Sequence, residues 1–221
     1  MALVFGDLHG CSRALETLWL NICPDSQQEV IFLGDYVDRG NNSSAVIEFL
    51  IHIKETFKNS KFLMGNHEQM VLDCRYGGDY WFNWLRYGGD ATLESYGIDP
   101  AVQELSKIPS AHWNFLSRLL PYFENDQYIF SHACINMRKP LAKQNNDELR
   151  WWGNFSDDPH VSGKPVFFGH MSQRTGKPKR LGQNVCIDTS VSGWMSCFDT
   201  ETNLVHQANQ AGAYQCFILE N

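Results

Sequence analysis

Three times in its first 69 residues the chain repeats one arrangement: a short apolar run, then a glycine, then a cluster of polar and charged groups. ALVF is followed by GDLHG, EVIFL by GDYVDRG and KFLM by GNHEQ. Runs this short and this apolar read as strands buried on both faces, and helix-period segments lie between them. CSRALETLWLNI sets Ala14, Leu15, Leu18 and Ile22 on one face, and SSAVIEFLIHIKETF is a second helix. The β-α-β-α-β order predicts a sheet with helices packed on it. It also brings all three polar clusters to strand C-terminal ends, where loops carry chemistry above a rigid floor.

Buried charge is costly unless it is paired, so Asp35, Asp38 and Arg39, crowded between Gly34 and Gly40, need partners. Asp7 and His9 are two residues apart, which in an extended segment puts both on one side, roughly 6.6 Å apart along the chain. Asp35 ends the next strand at the corresponding position. Two carboxylates that converge there cannot both stay ionised without a cation. Asn66 adds a carbonyl oxygen and His67 an imidazole, while His132 in IFSHA and His170 in FFGHM again follow apolar strands. Oxygen and imidazole donors without thiolate suit manganese, iron or zinc in a catalytic rather than a structural site. The supply points to two metals sharing one carboxylate.

The remainder reads differently. From Met70 to about Asn125 the texture is that of a helical insertion rich in Trp, Tyr and Leu, with HWNFLSRLLPYFE as its last helix. GGD occurs twice in it, at Gly77–Asp79 and Gly88–Asp90, but the flanks do not match and no repeat is inferred. YIFSHA resumes a strand, a polar connection runs through Lys139–Glu148, and VFFGHM, NVCIDT, WMSCFD, LVHQA and YQCFILE complete a mostly antiparallel set. No linker divides the chain, so residues 1–221 are expected to form one domain with an insertion at about 70–125. A length of 221 residues with 43% apolar content suits one well-buried domain and excludes disorder. The net charge of −7 offers no footprint for nucleic acid. MALVFGD lacks a signal-peptide pattern, and no run reaches about 18 apolar residues, so no membrane partner is expected. Seven cysteines without a C-x-x-C pair read as reduced thiols in a cytoplasmic protein.

GDLHG, GDYVDRG and GNHE, in this order and each after a strand, resemble the signature of the phosphoprotein phosphatase family of calcineurin-like metallophosphoesterases. WLRYGGDATLESYG extends the resemblance to a bacterial and phage branch that includes the lambda-phage protein phosphatase, over Leu3 to about Thr189. The resemblance implies an α/β fold, a central β-sandwich of mixed sheets flanked by helices. It also implies two divalent metal ions, manganese first, with iron or zinc as alternatives. Asp7 and His9 would hold the first metal, Asp35 both, and Asn66, His132 and His170 the second. His67 would be the general acid that protonates the leaving alkoxide, with Asp38 holding its imidazole. Arg39 would grip two phosphate oxygens with its planar fork while a bridging water attacks phosphorus in line.

Relatives that cut phosphodiesters and nucleic acids carry G-H-x-H, whereas this chain has Gly169, His170, Met171 and Ser172, which favours the protein-phosphatase branch. The family's second phosphate-binding arginine has no exact counterpart in ELRWWGNF, and Arg150 is taken as its replacement. The expected function is a serine/threonine protein phosphatase acting on a phosphorylated protein or small phosphoester, with the oligomeric state left open and a monomer compatible with the sequence. Alternatives are a dinucleoside-tetraphosphate hydrolase, a broad phosphomonoesterase or tyrosine phosphatase, and a catalytically weak, metal-loaded binding protein. Trp81, Trp84 and Tyr87 are candidates for a substrate wall, and Cys11 and Cys134 for small packed thiols.

Overall fold

In the computed structural model, which describes residues 2–220, β1 (Ala2–Phe5), β2 (Glu29–Phe32) and β3 (Ser60–Phe62) lie side by side and parallel. The crossovers are α1 (Ser12–Ile22) and α2 (Ser43–Thr56), as the apolar spacing requires. Helix α3 (Asn66–Asp73) follows β3 directly. The insertion continues with α4 (Asp79–Trp84), a wide π turn (Leu85–Gly89), α5 (Asp90–Ser95) and α6 (Ser110–Leu116). The helix expected over HWNFLSRLLPYFE is therefore shorter. It stops before Pro121, and β4 (Phe123–Glu124) follows.

The second half supplies β5 (Ile129–Phe130), a short helix α7 (Asn146–Arg150), β6 (Val166–Phe168), β7 (Lys179–Leu181) and β8 (Asn184–Cys186). It ends with β9 (Trp194–Asp199), β10 (Leu204–Asn209) and β11 (Tyr214–Ile218). These strands form two sheets, ordered β11-β10-β9-β1-β2-β3 and β4-β5-β6-β8-β7. The later strands pair mostly antiparallel, as expected, except that β5, β6 and β8 run parallel to one another. The polar connection before Glu148 is also partly helical, since Asn145 caps α7 by accepting from the Glu148 N–H at 2.8 Å.

Alternation along the strands explains their unbroken apolar spelling. Ala2 and Val4 of β1 face the second sheet, together with Ile31, Phe130, Phe167 and Val185. Leu3 and Phe5 face the other way, onto Leu15, Leu18, Val46 and Leu50 of α1 and α2. In β6, Phe167 points between the sheets, while Val166 and Phe168 pack outward with Leu149. Both faces of the central strands are thus buried, which fixes register and leaves the strand ends as the place for polar groups. No helix among the described residues is long and apolar enough to cross a membrane.

Candidate metal site

Asp7, Asp35, Asn66, His132 and His170 follow the C-terminal ends of β1, β2, β3, β5 and β6, so the two sheets deliver their donors to one point. The approach to that point is not extended, as the D-x-H spacing suggested. His9 has φ 39°, Asp35 54°, Asp38 71°, Arg39 66° and His170 63°, and these are five of the seven non-glycine residues with positive φ among those described. Such conformations cost on the order of 1–3 kcal/mol each and persist where surrounding structure holds them. Close packing has the same consequence at Gly169, where a Cβ would collide with the Asp7 Oδ1.

The holding is visible. The Asp7 Oδ1 accepts from the His170 N–H at 3.2 Å and the Asp35 Oδ1 from the His67 N–H at 3.1 Å. Each carboxylate then turns its Oδ2 toward His9 Nε2, at 3.9 and 3.8 Å. Glu68, overlooked in the sequence reading, is fully buried and accepts from the N–H groups of Asp35, Tyr36 and Gly65 at 2.8, 2.7 and 3.0 Å. It sits at the third position of α3 and ties GNHE to GDYVDRG. Burial, then the Asp35 charge, pushes its carboxyl up to about 8.

The imidazoles are oriented by their far nitrogens. His9 Nδ1 lies 3.0 Å from the Val37 carbonyl and His132 Nδ1 lies 3.0 Å from the Leu33 carbonyl, so both donate there and keep an Nε2 lone pair. Burial pushes His9 down to about 3, His170 to about 4, and His132 in the same direction, which keeps all three neutral. His132 Nε2 consequently faces the Asn66 Oδ1 at 2.9 Å and the Asp35 Oδ1 at 3.3 Å, acceptor against acceptor. His170 Nδ1 reaches the same Asn66 oxygen at 3.0 Å. A donor set of this kind fits a divalent cation. Two groups that share Asp35 can each hold one: His132 and His170 with Asp35 on one side, and His9 with Asp35 and Asp7 on the other, where His67 stands close by but gives its Nδ1–H to Asp38. Burial alone would raise the Asp35 carboxyl, but the charge the neighbouring histidines carry when protonated, His132 foremost, holds it below the usual carboxylate range, the same service a bound cation would render once they are neutral. Asp7 goes the other way, raised by burial and then by Asp188 and Asp35. Asp188, buried just beyond β8, completes the acidic floor. The sequence signal for it was present, because NVCID repeats the pattern of a strand followed by an acid.

Beside the donors stand the groups expected to handle the substrate. His67 Nδ1 donates to the Asp38 Oδ2 at 2.7 Å, and its Nε2 lies 3.9 Å from the Asp35 Oδ2. Burial works against a charged imidazole here, yet Asp35 and Asp38 outweigh it and raise the His67 pKa. Asp38 is held in turn by the Trp84 indole N–H at 2.9 and 3.0 Å and by the Thr92 hydroxyl at 2.6 Å. Trp84 and Trp81 are buried, so neither lines a wall. Tyr87 is 45% exposed and edge-on to His67 at 6.4 Å between ring centres. Gly88 in the π turn accepts the Arg39 N–H at 3.1 Å, so the second GGD belongs to the site while the first does not. Arg39 spans the cleft, with Nη1 3.0 Å from His9 Nε2 and Nη2 3.0 Å from His67 Nε2. Arg150 is buried at the end of α7, where it donates through Nη1 to the Gln69 Oε1 and leaves Nε without a partner. Cys134 is buried, and burial pushes its thiol up to about 11. Cys11 is half-buried and is raised by the same cause.

The family model described as calcineurin-like phosphoesterase matches residues 2–193. The chain belongs to that family. Its members use a dinuclear metal centre, and the paired groups around Asp35 supply the donors for one. This phosphoesterase is 24% identical over 223 residues to the asymmetrical bis(5'-nucleosyl)-tetraphosphatase PrpE of Bacillus cereus, covering 84% of each chain. It is 42% identical over 76 residues to the serine/threonine-protein phosphatase rdgC of Drosophila melanogaster. That match spans 34% of this chain but only 12% of the fly protein. Its fold superposes on the cold-active protein-tyrosine phosphatase of a psychrophilic Shewanella with a TM-score of 0.66 at 17% identity, covering 97% and 79% of the two chains. At that identity the likeness speaks for the fold alone.

Proposed function

We propose that this hydrolase removes phosphate from phosphoserine or phosphothreonine in proteins, with manganese as its metal. One observation carries the chemistry: the Arg39 fork lies within hydrogen-bond distance of both His9 and His67, so the phosphate grip, the cation donors and the acid meet at one point. When bound, two divalent cations supply an activated water and neutralise phosphoryl charge. Arg39 orients the phosphoryl group through paired N–H donors, a geometry Lys cannot copy. His67, held as the imidazolium with its Nδ1–H on Asp38, hands its Nε2 proton to the leaving oxygen. Arg150 adds a second cationic hand from the α7 side. Support for the phosphoprotein substrate comes from the GDYVDRG and GNHE spelling and the single histidine of GHMS.

A second reading, hydrolysis of dinucleoside tetraphosphates, is favoured by the PrpE match over 84% of both chains. The test is manganese-loaded protein assayed on a phosphoserine peptide, p-nitrophenyl phosphate and diadenosine tetraphosphate. Turnover of the peptide supports the first reading. Cleavage of the dinucleotide alone replaces it with the second, and no turnover with two metals bound leaves a binding protein.

A further inference from the structure

A cavity of about 290 Å³ opens beside the metal donors, and neither Tyr87 nor Arg150 lines it. Asp7, His9 and Arg39 line it, so it adjoins the metal donors, and whatever fills it is attached to, or lies against, the phosphoryl group that Arg39 would grip. Its walls are apolar: Cys11 and Ala14 from the start of α1, Val191 before β9, and Trp194 and Met195 at the beginning of that strand. Gly193, at φ 83°, adds bare backbone, and nothing stands within 4 Å of where its Cβ would be. The outer end holds Gln210, from the turn joining β10 to β11. The Gln210 Oε1 already accepts from the Ala14 N–H at 2.9 Å, which leaves the amide nitrogen as the donor at that end. Ligand pockets combine apolar walls with a few placed polar groups in roughly 300–1,000 Å³. This cavity is at the small limit, enough for one ring system.

We propose that this cavity binds the nucleobase of a nucleotide whose phosphate lies at Arg39. A base offers a flat apolar face to the walls and ring nitrogens as acceptors for the Gln210 amide. A phenyl ring has the face and lacks the acceptors, and an alkyl chain lacks both. The inference rests on the hydrolase reading with its second substrate, the dinucleoside tetraphosphate, of which one nucleotide is seated here and the rest leaves past His67. Cys11 forms part of the wall.

The test compares adenosine monophosphate with ribose 5-phosphate, which differ only in the base, as ligands of manganese-loaded protein by calorimetric titration. The expected result is binding about tenfold tighter for the nucleotide, the scale that stacking one base supplies. Val191→Asp and Gln210→Glu should erase that gap and lower kcat/KM on diadenosine tetraphosphate by about tenfold. Their hydrolysis of β-glycerophosphate should match that of the unmodified protein, which also shows that they fold. Gln210→Glu retains the oxygen that accepts from Ala14 and removes only the donor. Equal binding of the two ligands, or an equal loss on phosphotyrosine and the dinucleotide, would overturn the proposal. Failure of the hydrolase reading looks different: β-glycerophosphate is not cleaved, while the binding comparison can still be read.

Discussion

On the β5–β6 side of Asp35 the donor atoms stand 2.9, 3.0 and 3.3 Å apart. On the β1 side they stand 3.8 and 3.9 Å apart, and the Arg39 guanidinium reaches in to His9. The first group is drawn together by protein alone, whereas the second opens toward the Arg39 guanidinium. The difference separates a cation site built for retention from one built for exchange with substrate. It predicts that manganese binds in two steps and that His132→Ala removes the tighter one in a titration followed by elemental analysis.

Asp35→Ala strikes the residue both sites share and should have the largest effect. Metal content falls below one ion per chain and activity drops on the order of 10⁴-fold or more, within the span of catalysis such sites provide. Retention of one full ion would show that the two sites are independent. His67→Asn separates chemistry from binding. Both ions stay, phosphopeptide turnover falls about 10²–10⁴-fold, and p-nitrophenyl phosphate, whose leaving group needs little protonation, is affected far less. Arg39→Lys should cost about 10²-fold in kcat and Arg150→Lys about tenfold, because only Arg39 presents its fork to both histidines. Equal losses would make Arg150 a full second clamp. Trp84→Phe, the mildest change, removes a hydrogen bond to a buried carboxylate and should cost about 1.5–3 kcal/mol in denaturant unfolding, with metals retained.

Much of this was legible because it is local. Each motif follows its strand within a few residues, so β1, β2 and β3, the two crossover helices and the donors Asp7, His9, Asp35 and Asn66 could be read from runs of about ten letters. The ends of elements were harder: Pro121 cuts the last helix of the insertion, and β7 carries too little apolar signal to be noticed. Residues that serve the site from a distance were silent. Trp84 and Thr92 meet Asp38 across 46 and 54 positions, and as letters they read as core and turn. Glu68 lay inside a recognised motif, but its function depends on backbone amides 31 to 33 residues away. The sandwich of two mixed sheets came from the family resemblance and not from the strands, and the parallel pairing of β5, β6 and β8 stayed hidden, since pairing is a property of the assembled fold and not of any strand alone.

The position of β1 between β2 and β9 has a consequence in time. A chain made from its N-terminus has Asp7, His9, Asp35, Asn66 and His67 in hand early, yet the strand that covers the other edge of β1 is Trp194–Asp199. Until those residues emerge, ALVF is a hydrophobic edge open to pairing with another molecule. A structure so centred on its first strand is therefore most exposed to aggregation while that strand waits for one of the last.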